Sequence, residues 1–255
     1  MNLVKIVIPI YKTQLTQLKL LSLKQVYKIL GSYPLVVIKP DKLDLSSLQI
    51  EFPLLTFQSF SDTYFEGIKG YNRLMLSKEF YKRFLDMDYI LIYQLDAFVF
   101  RDELKEWCNK EYDYIGAPWL EKPIYRFPGI SQFMWLSKLY HKLLQKPYKQ
   151  ALYNKIGNGG FSLRRVKSHY DITHSLQEKI KYYLSHPNNH FYNEDIFWAT
   201  EPINFHYPPL MEAIHFAFDK YPAYCYQLIN QQLPFGCHSW YKRKMKAFWK
   251  PIIQF

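Results

Sequence analysis

The sequence predicts an α/β protein with a mixed, mostly parallel central sheet flanked by helices. The chain opens with a strand, a helix and a second strand, and such a unit forms a parallel pair with a right-handed crossover. Further along, the run 88–98 joins an apolar strand to a single carboxylate, Asp96, which is typical of the ligand-binding edge of an open sheet. We find no internal repeat or linker, so we expect one domain over 1–255.

The first half, about 1–100, alternates strands and helices. The expected elements are a β-branched strand at 3–10, a helix over 15–30 stopped by Gly31, a strand at 35–38, a helix over 71–85 and the strand that ends near Asp96. No GxGxxG motif follows the first strand, so the sequence lacks the fingerprint of a dinucleotide-binding Rossmann fold.

The second half, about 101–240, is less regular and precedes a basic aromatic tail at 240–255. The expected elements are a short strand within 112–119, an irregular segment over 120–149 with a helix near 134–144, a strand that opens at 157, helices over 170–184 and from 193, and core segments at 207–218 and 235–240.

The composition favours an anionic partner. The net charge is +11 and aromatic residues make up 19% of the chain, which suits nucleic acid, an anionic membrane or a phosphorylated substrate. Five basic residues lie among aromatic ones in 240–250. This tail has two interpretations: an interfacial segment on anionic lipid, or a solvated basic helix end.

The cysteines and the N-terminal run predict a cytoplasmic protein. Cys108, Cys225 and Cys237 form no CxxC pair and are odd in number, which indicates a reducing compartment. The first nine residues lack the basic region and cleavage site of a signal peptide, and no apolar run is long enough to span a bilayer. The basic tail adds the expectation of peripheral contact with an inner membrane.

Asp96 and His238 are the candidate metal ligands. A carboxylate directly after a buried strand needs a cationic partner, because burying an unpaired charge is costly. Asp96 could therefore hold a metal and, through it, a diphosphate, or it could simply start a turn. His238 lies in a late glycine-containing turn and could complete the site, since imidazole with carboxylate oxygen suits Mn²⁺. A hydrogen-bonded structural histidine is the alternative.

Two further segments carry candidate chemistry. Gly159 and Gly160 belong to a Gly-Asn-Gly-Gly run, where a ligand could approach the backbone closely or where the chain could simply turn. Glu194 and Asp195 precede an apolar helix. Such a pair can act as a general base, or it can favour the helix dipole. Arg73 is a candidate for binding diphosphate oxygens in bidentate fashion, with a surface ion pair as the alternative.

Together, these segments resemble nucleotide-sugar glycosyltransferases of the GT-A fold, mainly through their order along the chain. The ordered motifs are Gln94-Leu95-Asp96, the glycine run 157–160, Glu194-Asp195 and His238. Tyr71-Asn72-Arg73 is similar to an element of the β-1,4-galactosyltransferases. The runs 113–119, 157–164 and 234–238 are similar to a bacterial domain-of-unknown-function family of the same fold.

The resemblance implies a hexosyltransferase-type enzyme that transfers a sugar, with inversion, from a nucleotide-diphosphate sugar to a saccharide or glycolipid acceptor. The basic tail and the expected cytoplasmic location suggest that its setting is bacterial surface polysaccharide, lipopolysaccharide or lipooligosaccharide synthesis at an inner membrane. The resemblance assigns the donor to Pro9, Ile10, Tyr11, Lys39, Arg73, Gln94 and Asp96, the acceptor to Trp119, Gly159 and Gly160, the base to Asp195 with Glu194 as its orienting group, and Mn²⁺ or Mg²⁺ to Asp96 and His238.

Gln94 departs from the GT-A pattern, because it stands where an Asp-x-Asp motif has its first carboxylate. An amide supplies no charge, so metal affinity should be lower, or the metal should be held mainly by substrate phosphates. Two alternatives stay open: a degenerate glycosyltransferase that binds without transfer, and a non-catalytic nucleic-acid-binding protein. The basic residues are dispersed outside the tail and no RNP, HTH or zinc pattern occurs, so we expect no nucleic acid.

Overall fold

The computed structural model describes residues 2–144 and 146–255, so Met1 and Gln145 of the predicted domain lie outside the described residues. The strands are β1 (Asn2–Pro9), β2 (Leu35–Pro40), β3 (Leu55–Phe60), β4 (Met87–Tyr93), β5 (Ala97–Val99), β6 (Tyr114–Gly116), β7 (Phe161–Arg165), β8 (Ala217–Phe218) and β9 (Gly236–His238). Six of them form the central sheet in the order β3-β2-β1-β4-β7-β6.

Four neighbouring strands of this sheet, β3, β2, β1 and β4, are parallel. Val7 lies opposite Val36 on one side and Ile92 on the other. These strands are nearly continuous apolar runs because helices cover both faces of the sheet. The predicted class, a mixed and mostly parallel sheet flanked by helices, is confirmed.

The strand β7 runs antiparallel between β4 and β6. Tyr93 pairs with Phe161, so β7 begins where β4 ends. The backbone N–H of Gln94 donates to the carbonyl of Gly160 at 2.8 Å. This arrangement places the glycine run directly beside the carboxyl end of β4.

A second, three-stranded sheet, in the order β5-β9-β8, lies beyond the same edge. Its register pairs Ala97 with His238. Asp96 immediately precedes Ala97, so this pairing brings the two predicted metal ligands together although they are far apart in sequence.

The helices are α1 (Gln17–Leu30), α2 (Ser46–Glu51), α3 (Gly67–Met75), α4 (Lys78–Lys82), α5 (Leu104–Asn109), α6 (Ile130–Leu143), α7 (Val166–Ser175), α8 (Gln177–Leu184), α9 (Glu194–Thr200), α10 (Leu210–Phe216), α11 (Pro222–Leu228) and α12 (Lys246–Ile253), with 3₁₀ turns at Asp62–Phe65, Pro123–Arg126, Lys149–Leu152 and His190–Tyr192. Each of the long helices predicted over 71–85 and 170–184 is instead two helices. The first is interrupted where the Ser77 side chain accepts from the N–H of Phe80 and starts α4.

The C-terminal tail packs into the protein. Trp240 and Trp249 are fully buried, in a cluster with Phe98, Phe218 and Cys225. The tail therefore presents neither of its tryptophans to lipid, because both lie against the protein's own core. This burial does not favour the interpretation of the tail as a lipid-facing segment. No helix of the described residues is long and apolar enough to cross a membrane.

Candidate active site

A cleft of about 320 Å³ opens at the carboxyl ends of β1 and β4. Pro9, Ile10 and Tyr11 line it from the end of β1, and Gln94 and Asp96 line it from the end of β4. Five of the seven residues assigned to the donor by sequence therefore share one cleft. Ligands bind at this edge of open α/β sheets because strand ends and loops converge there.

Other walls of this cleft come from residues that the sequence analysis did not assign. They are Lys12, Leu15, Lys19, Tyr64, Phe65, Gly67, Ile68, Tyr71, Leu95 and Tyr241. The ammonium of Lys19 lies 5.3 Å from the ring centroid of Tyr11. Aromatic rings beside lysines suit a base and its phosphates. The sequence indicated these residues only through its high aromatic content. No local motif identifies them, because they come from four separate segments of the chain.

Two residues assigned to the donor, Lys39 and Arg73, do not line this cleft. The ammonium of Lys39 binds the carbonyls of Pro40 and Leu43, at 3.3 and 2.8 Å, and does not line the cleft. Arg73 is exposed and donates to the carbonyl of Thr63 at 2.6 Å. Both cations are held by backbone carbonyls of nearby loops.

Asp96 and His238 meet at one end of the cleft. Asp96 Oδ1 lies 2.9 Å from His238 Nε2, and Asp96 Oδ2 lies 3.3 Å from the ammonium of Lys242. Burial opposes the carboxylate charge, but His238 and Lys242 outweigh it and hold the pKa of Asp96 well below its usual range. The cationic partner that the sequence required for Asp96 is therefore present.

His238 has carboxylates on both sides. Its Nδ1 lies 3.2 Å from Asp219 Oδ1 and close to Asn158 and Ser239. Burial lowers the pKa of the imidazole, but Asp96 and Asp219 overcome this effect and raise it to about 9. With a carboxylate at each ring nitrogen and a pKa of about 9, the imidazole carries protons on both Nδ1 and Nε2 at neutral pH.

The side chains around His238 provide some, but not all, of the ligands that a divalent metal ion needs. Nε2 is buried and makes no hydrogen bond of good geometry among the described residues. A methyl group at Gly160 would collide with Nε2 and approach Gln94 Oε1, so imidazole, amide and the nearby Asp96 carboxylate border the same space. No three His, Cys, Asp or Glu side chains within 2–144 and 146–255 form a metal cluster. Substrate phosphates would have to complete the coordination.

Uncommon backbone conformations surround this site. Asn158, Tyr221 and Ser239 have positive φ values of 68°, 55° and 59°. Asn158 also accepts from the backbone N–H groups of Gly160 and Phe161 through its side-chain oxygen, at 3.2 and 3.3 Å. Non-glycine residues with positive φ concentrate at functional sites, where the surrounding structure holds them in place.

Glu194 is an internal ion-pair partner. Its carboxylate lies 3.1 Å from the guanidinium of Arg164, and both side chains are almost fully buried. Arg164 also donates to the hydroxyl of Tyr81 at 2.9 Å. Burial raises the pKa of Glu194 and Arg164 opposes that rise. The expected orienting role toward Asp195 or the acceptor is therefore not what the contacts of Glu194 indicate.

Asp195 faces a second pocket, of about 490 Å³, together with the predicted acceptor residue Trp119. Burial, followed by the charge of Glu194, raises the pKa of Asp195 to about 7. The N–H of Ile196 donates to its carboxylate at 2.9 Å. A carboxyl group with this pKa, at a pocket wall, can accept a proton near neutral pH.

The second pocket combines aromatic rings with cations. Its lining is Trp119, Leu120, Lys122, Tyr125, Lys149, Leu152, Tyr153, His190, Asn193, Asp195, Ile196, Lys220 and Tyr221. Sequence analysis found only Trp119 and Asp195, because the others lie in the irregular segment and in loops.

Gly159 and Gly160 line neither pocket and instead lie between Glu194 and His238. A methyl group at Gly159 would collide with Glu194, and one at Gly160 would collide with His238. The acceptor role assigned to them stays a prediction, and their packing gives them a structural role. Glycine is required here because side chains from both segments press against the backbone.

Solved structures with the same architecture are glycosyltransferases. The galactosyltransferase LgtC, solved with donor and acceptor sugar analogues, matches with a TM-score of 0.58 at 12% identity, over 98% of this chain and 94% of that one. GlyE from Streptococcus pneumoniae TIGR4 gives 0.54 at 12% identity, over 98% and 60%. Mouse xyloside xylosyltransferase 1 gives 0.52 at 12% identity, over 93% and 97%.

The chain therefore has the GT-A fold of glycosyltransferases. It belongs to the family described as "Protein of unknown function (DUF5672)", whose sequence profile matches residues 54–238. No curated protein matches the sequence.

Proposed function

We propose that the chain is a glycosyltransferase that moves a sugar from a nucleotide-diphosphate sugar to a saccharide acceptor. The observation that carries this proposal is the pair of pockets, one containing Asp96 and the other Asp195. The glycine run packs against His238 on the first side and against Glu194, the neighbour of Asp195, on the second. A donor and an acceptor bound in these pockets would meet near the glycines.

The first cleft is the proposed donor site. Pro9, Ile10 and Tyr11 would contact the base and ribose. Asp96 and His238 would hold Mn²⁺ or Mg²⁺, with the ion replacing the proton on Nε2 that lies between the two side chains. Such an ion acts as a Lewis acid that stabilises a leaving diphosphate.

Asp195 is the proposed general base. An acceptor hydroxyl would form a bond to the anomeric carbon as the bond from that carbon to the diphosphate oxygen breaks. The bonding electrons would leave with the nucleoside diphosphate, and the hydroxyl proton would pass to the Asp195 carboxylate. A pKa of about 7 supports this role, since the group is available as a base at neutral pH. Direct displacement inverts the anomeric configuration, and NMR of the product would contradict it by showing retention.

The second pocket is the proposed acceptor site. Trp119 and three tyrosines offer flat apolar faces to sugar rings. Lys122, Lys149 and Lys220 favour an acceptor that carries a carboxylate or phosphate. Acidic sugars of bacterial surface polysaccharides and lipopolysaccharide have this chemistry, which supports the proposed setting of the reaction.

Binding without transfer is the second candidate. Gln94 provides no charge, and the ammonium of Lys242 lies against the remaining carboxylate, Asp96. Both features would weaken metal binding and leave a site that holds a nucleotide sugar without turnover.

A thermal-shift screen with UDP-, GDP- and CDP-sugars, with and without Mn²⁺, tests donor binding. We expect one donor class to stabilise the protein, and Asp96→Ala to remove any metal-dependent part of that shift. Asp195→Ala should keep the thermal shift and lose sugar transfer. A thermal shift in the wild type without transfer to any acceptor would favour the second candidate, binding without transfer. No shift with any nucleotide sugar would contradict the proposal. Asp171→Ala, at an exposed ion pair with Lys167, is the matched control.

A further inference from the structure

The irregular segment has an unusual charge pattern. Residues 122–160 contain seven Lys or Arg residues and no Asp or Glu. The helix α6 lies in the middle of this segment and contributes Lys138 and Lys142. A long acid-free basic segment is attracted to anionic surfaces.

The helix α6 covers no core. None of its residues is buried, although it is 14 residues long and rich in large apolar side chains. The exposed fractions are 69% for Phe133, 61% for Trp135, 56% for Leu136 and 74% for Leu143. A helix of a folded protein normally buries its apolar face, whereas this one contacts the 3₁₀ turn Pro123–Arg126 and Gln150 without burying any of its own residues.

The exposed apolar residues form a stripe. Phe133, Leu136, Tyr140 and Leu143 follow one another at spacings of three, four and three, which places them on one face of the helix. Lys138 and Lys142 are exposed and lie on the opposite face of the helix. A basic helix with one apolar face and exposed aromatic residues is the pattern of a segment that lies in a membrane surface.

We propose that α6 docks on an anionic lipid bilayer. The helix is roughly 21 Å long and a bilayer core is about 30 Å thick, so it would lie in the plane of the interface. Its apolar stripe would enter the acyl boundary, while Lys138 and Lys142 on the other face would stay on the water side and add to the attraction of the basic segment for an anionic surface. This assigns membrane contact to α6, in place of the C-terminal tail, whose tryptophans are buried.

The position of α6 connects membrane contact with the second pocket. The side chain of Gln150 donates to the carbonyl of Met134, at 3.5 Å, and its neighbours Lys149 and Leu152 line that pocket. Docking would hold the pocket close to lipid headgroups, where a lipid-linked acceptor is presented. Membrane docking itself does not require the transfer reaction, so the two proposals can fail separately.

Tryptophan fluorescence offers a direct test. Of the six tryptophans, Trp135 is the strongly exposed one, whereas Trp107, Trp198, Trp240 and Trp249 are buried. Trp135 itself lies outside the apolar stripe, so the reporter is a tryptophan placed in the stripe by Phe133→Trp in a Trp135→Phe background. We expect vesicles of phosphatidylglycerol with brominated phosphatidylcholine to quench this variant more strongly than Trp135→Phe alone. Equal quenching of the two variants, or no quenching of the stripe tryptophan at low salt, would overturn the proposal.

Vesicle flotation with variants that introduce charge into the stripe gives the second test. Leu136→Glu combined with Leu143→Glu should weaken partitioning about tenfold or more, because each substitution removes an apolar side chain that the bilayer would bury and places a carboxylate at the lipid boundary. Ile50→Glu combined with Ile203→Glu is the matched control, since these residues are 84% and 92% exposed and lie outside α6. Equal loss in both double variants would contradict the proposal.

Two further readouts separate lipid docking from other uses of the same face. Lys138→Gln with Lys142→Gln should reduce partitioning onto phosphatidylglycerol vesicles and make it less sensitive to salt. Sedimentation velocity should show a monomer without vesicles. Wild-type dimers that dissociate on Leu136→Glu, with no vesicle binding, would assign the face to a second copy of the chain instead.

Discussion

Adjacent carboxylates in this protein have different surroundings. Glu194 is paired with Arg164 in the interior, whereas Asp195 lines the second pocket with its pKa raised to about 7. Sequence alone could not separate them, because both sit in the first turn of α9. The direction of each side chain decides which is available to a substrate.

Asp195→Asn should lower the turnover number by about a hundred- to ten-thousand-fold, the usual contribution of a general base, while leaving donor binding intact. The base acts when deprotonated, so wild-type turnover should rise with pH through about 7 and then level off. Steady-state kinetics across pH would check both. If the residual turnover of Asp195→Asn still rose with pH in the same way as that of the wild type, Asp195 would not be the titrating group.

Glu194→Gln should act on stability. It leaves the Arg164 guanidinium buried without a charged partner, and breaking a buried pair in this way costs about 3–5 kcal/mol. Urea unfolding would measure the change. Glu178→Gln, which disrupts an exposed pair with Lys181, should cost about 1 kcal/mol or less. Equal effects of the two substitutions would contradict the structural role of Glu194.

At the scale of elements, the antiparallel strand β7 organises the site. It starts where β4 ends, so the glycine run before it reaches both Gln94 and the acidic start of α9. A parallel strand in that place would carry the run to the opposite edge of the sheet. The ladder of β4 and β7 thus sets the distance between the two pockets.

Gly160→Ala should disturb this junction. The added methyl group would collide with His238 and approach Gln94, so we expect a stability cost of about 1–3 kcal/mol and a loss of the donor-induced thermal shift. Gly129→Ala is the comparison, because its methyl group meets no atom within 4 Å and only backbone strain at φ +83° opposes it. A wild-type donor shift in Gly160→Ala would show that the glycine is dispensable.

Sequence patterns predicted the elements that depend on local order. The apolar runs of β1, β2 and β4 identify buried parallel strands. The order of the motifs along the chain predicted that Asp96 and His238 lie close together. The strand β3 was missed because it lies at the sheet edge and its middle residues are only partly covered. The partners of His238, above all Asp219, were missed because side-chain direction in short strands and loops depends on tertiary packing.

At the scale of the whole molecule, the C-terminal tail is part of the core. Its tryptophans pack with Phe98 of β5 and Cys225 of α11 in the apolar cluster described above. The tail therefore belongs to the folded core, and its basic side chains are exposed, with the Lys242 ammonium also reaching Asp96.

Trp249→Ala should destabilise the protein by about 3–5 kcal/mol, the usual cost of removing a large buried aromatic side chain. Chemical denaturation would measure it. Trp135→Ala, on the exposed face of α6, should change stability by no more than about 0.5 kcal/mol. A small effect at Trp249 would mean that the tail is loosely attached and free to act elsewhere.

The pairing of Ala97 with His238 also has a consequence for how the protein is made. The two strands that hold the proposed metal ligands are separated by most of the chain, and such distant contacts form late because a long loop must close first. A ribosome must have released residue 238 from its exit tunnel before Asp96 gains its imidazole partner. Nascent or prematurely terminated chains should therefore lack the assembled pair of proposed metal ligands, although their first parallel strands could already have folded.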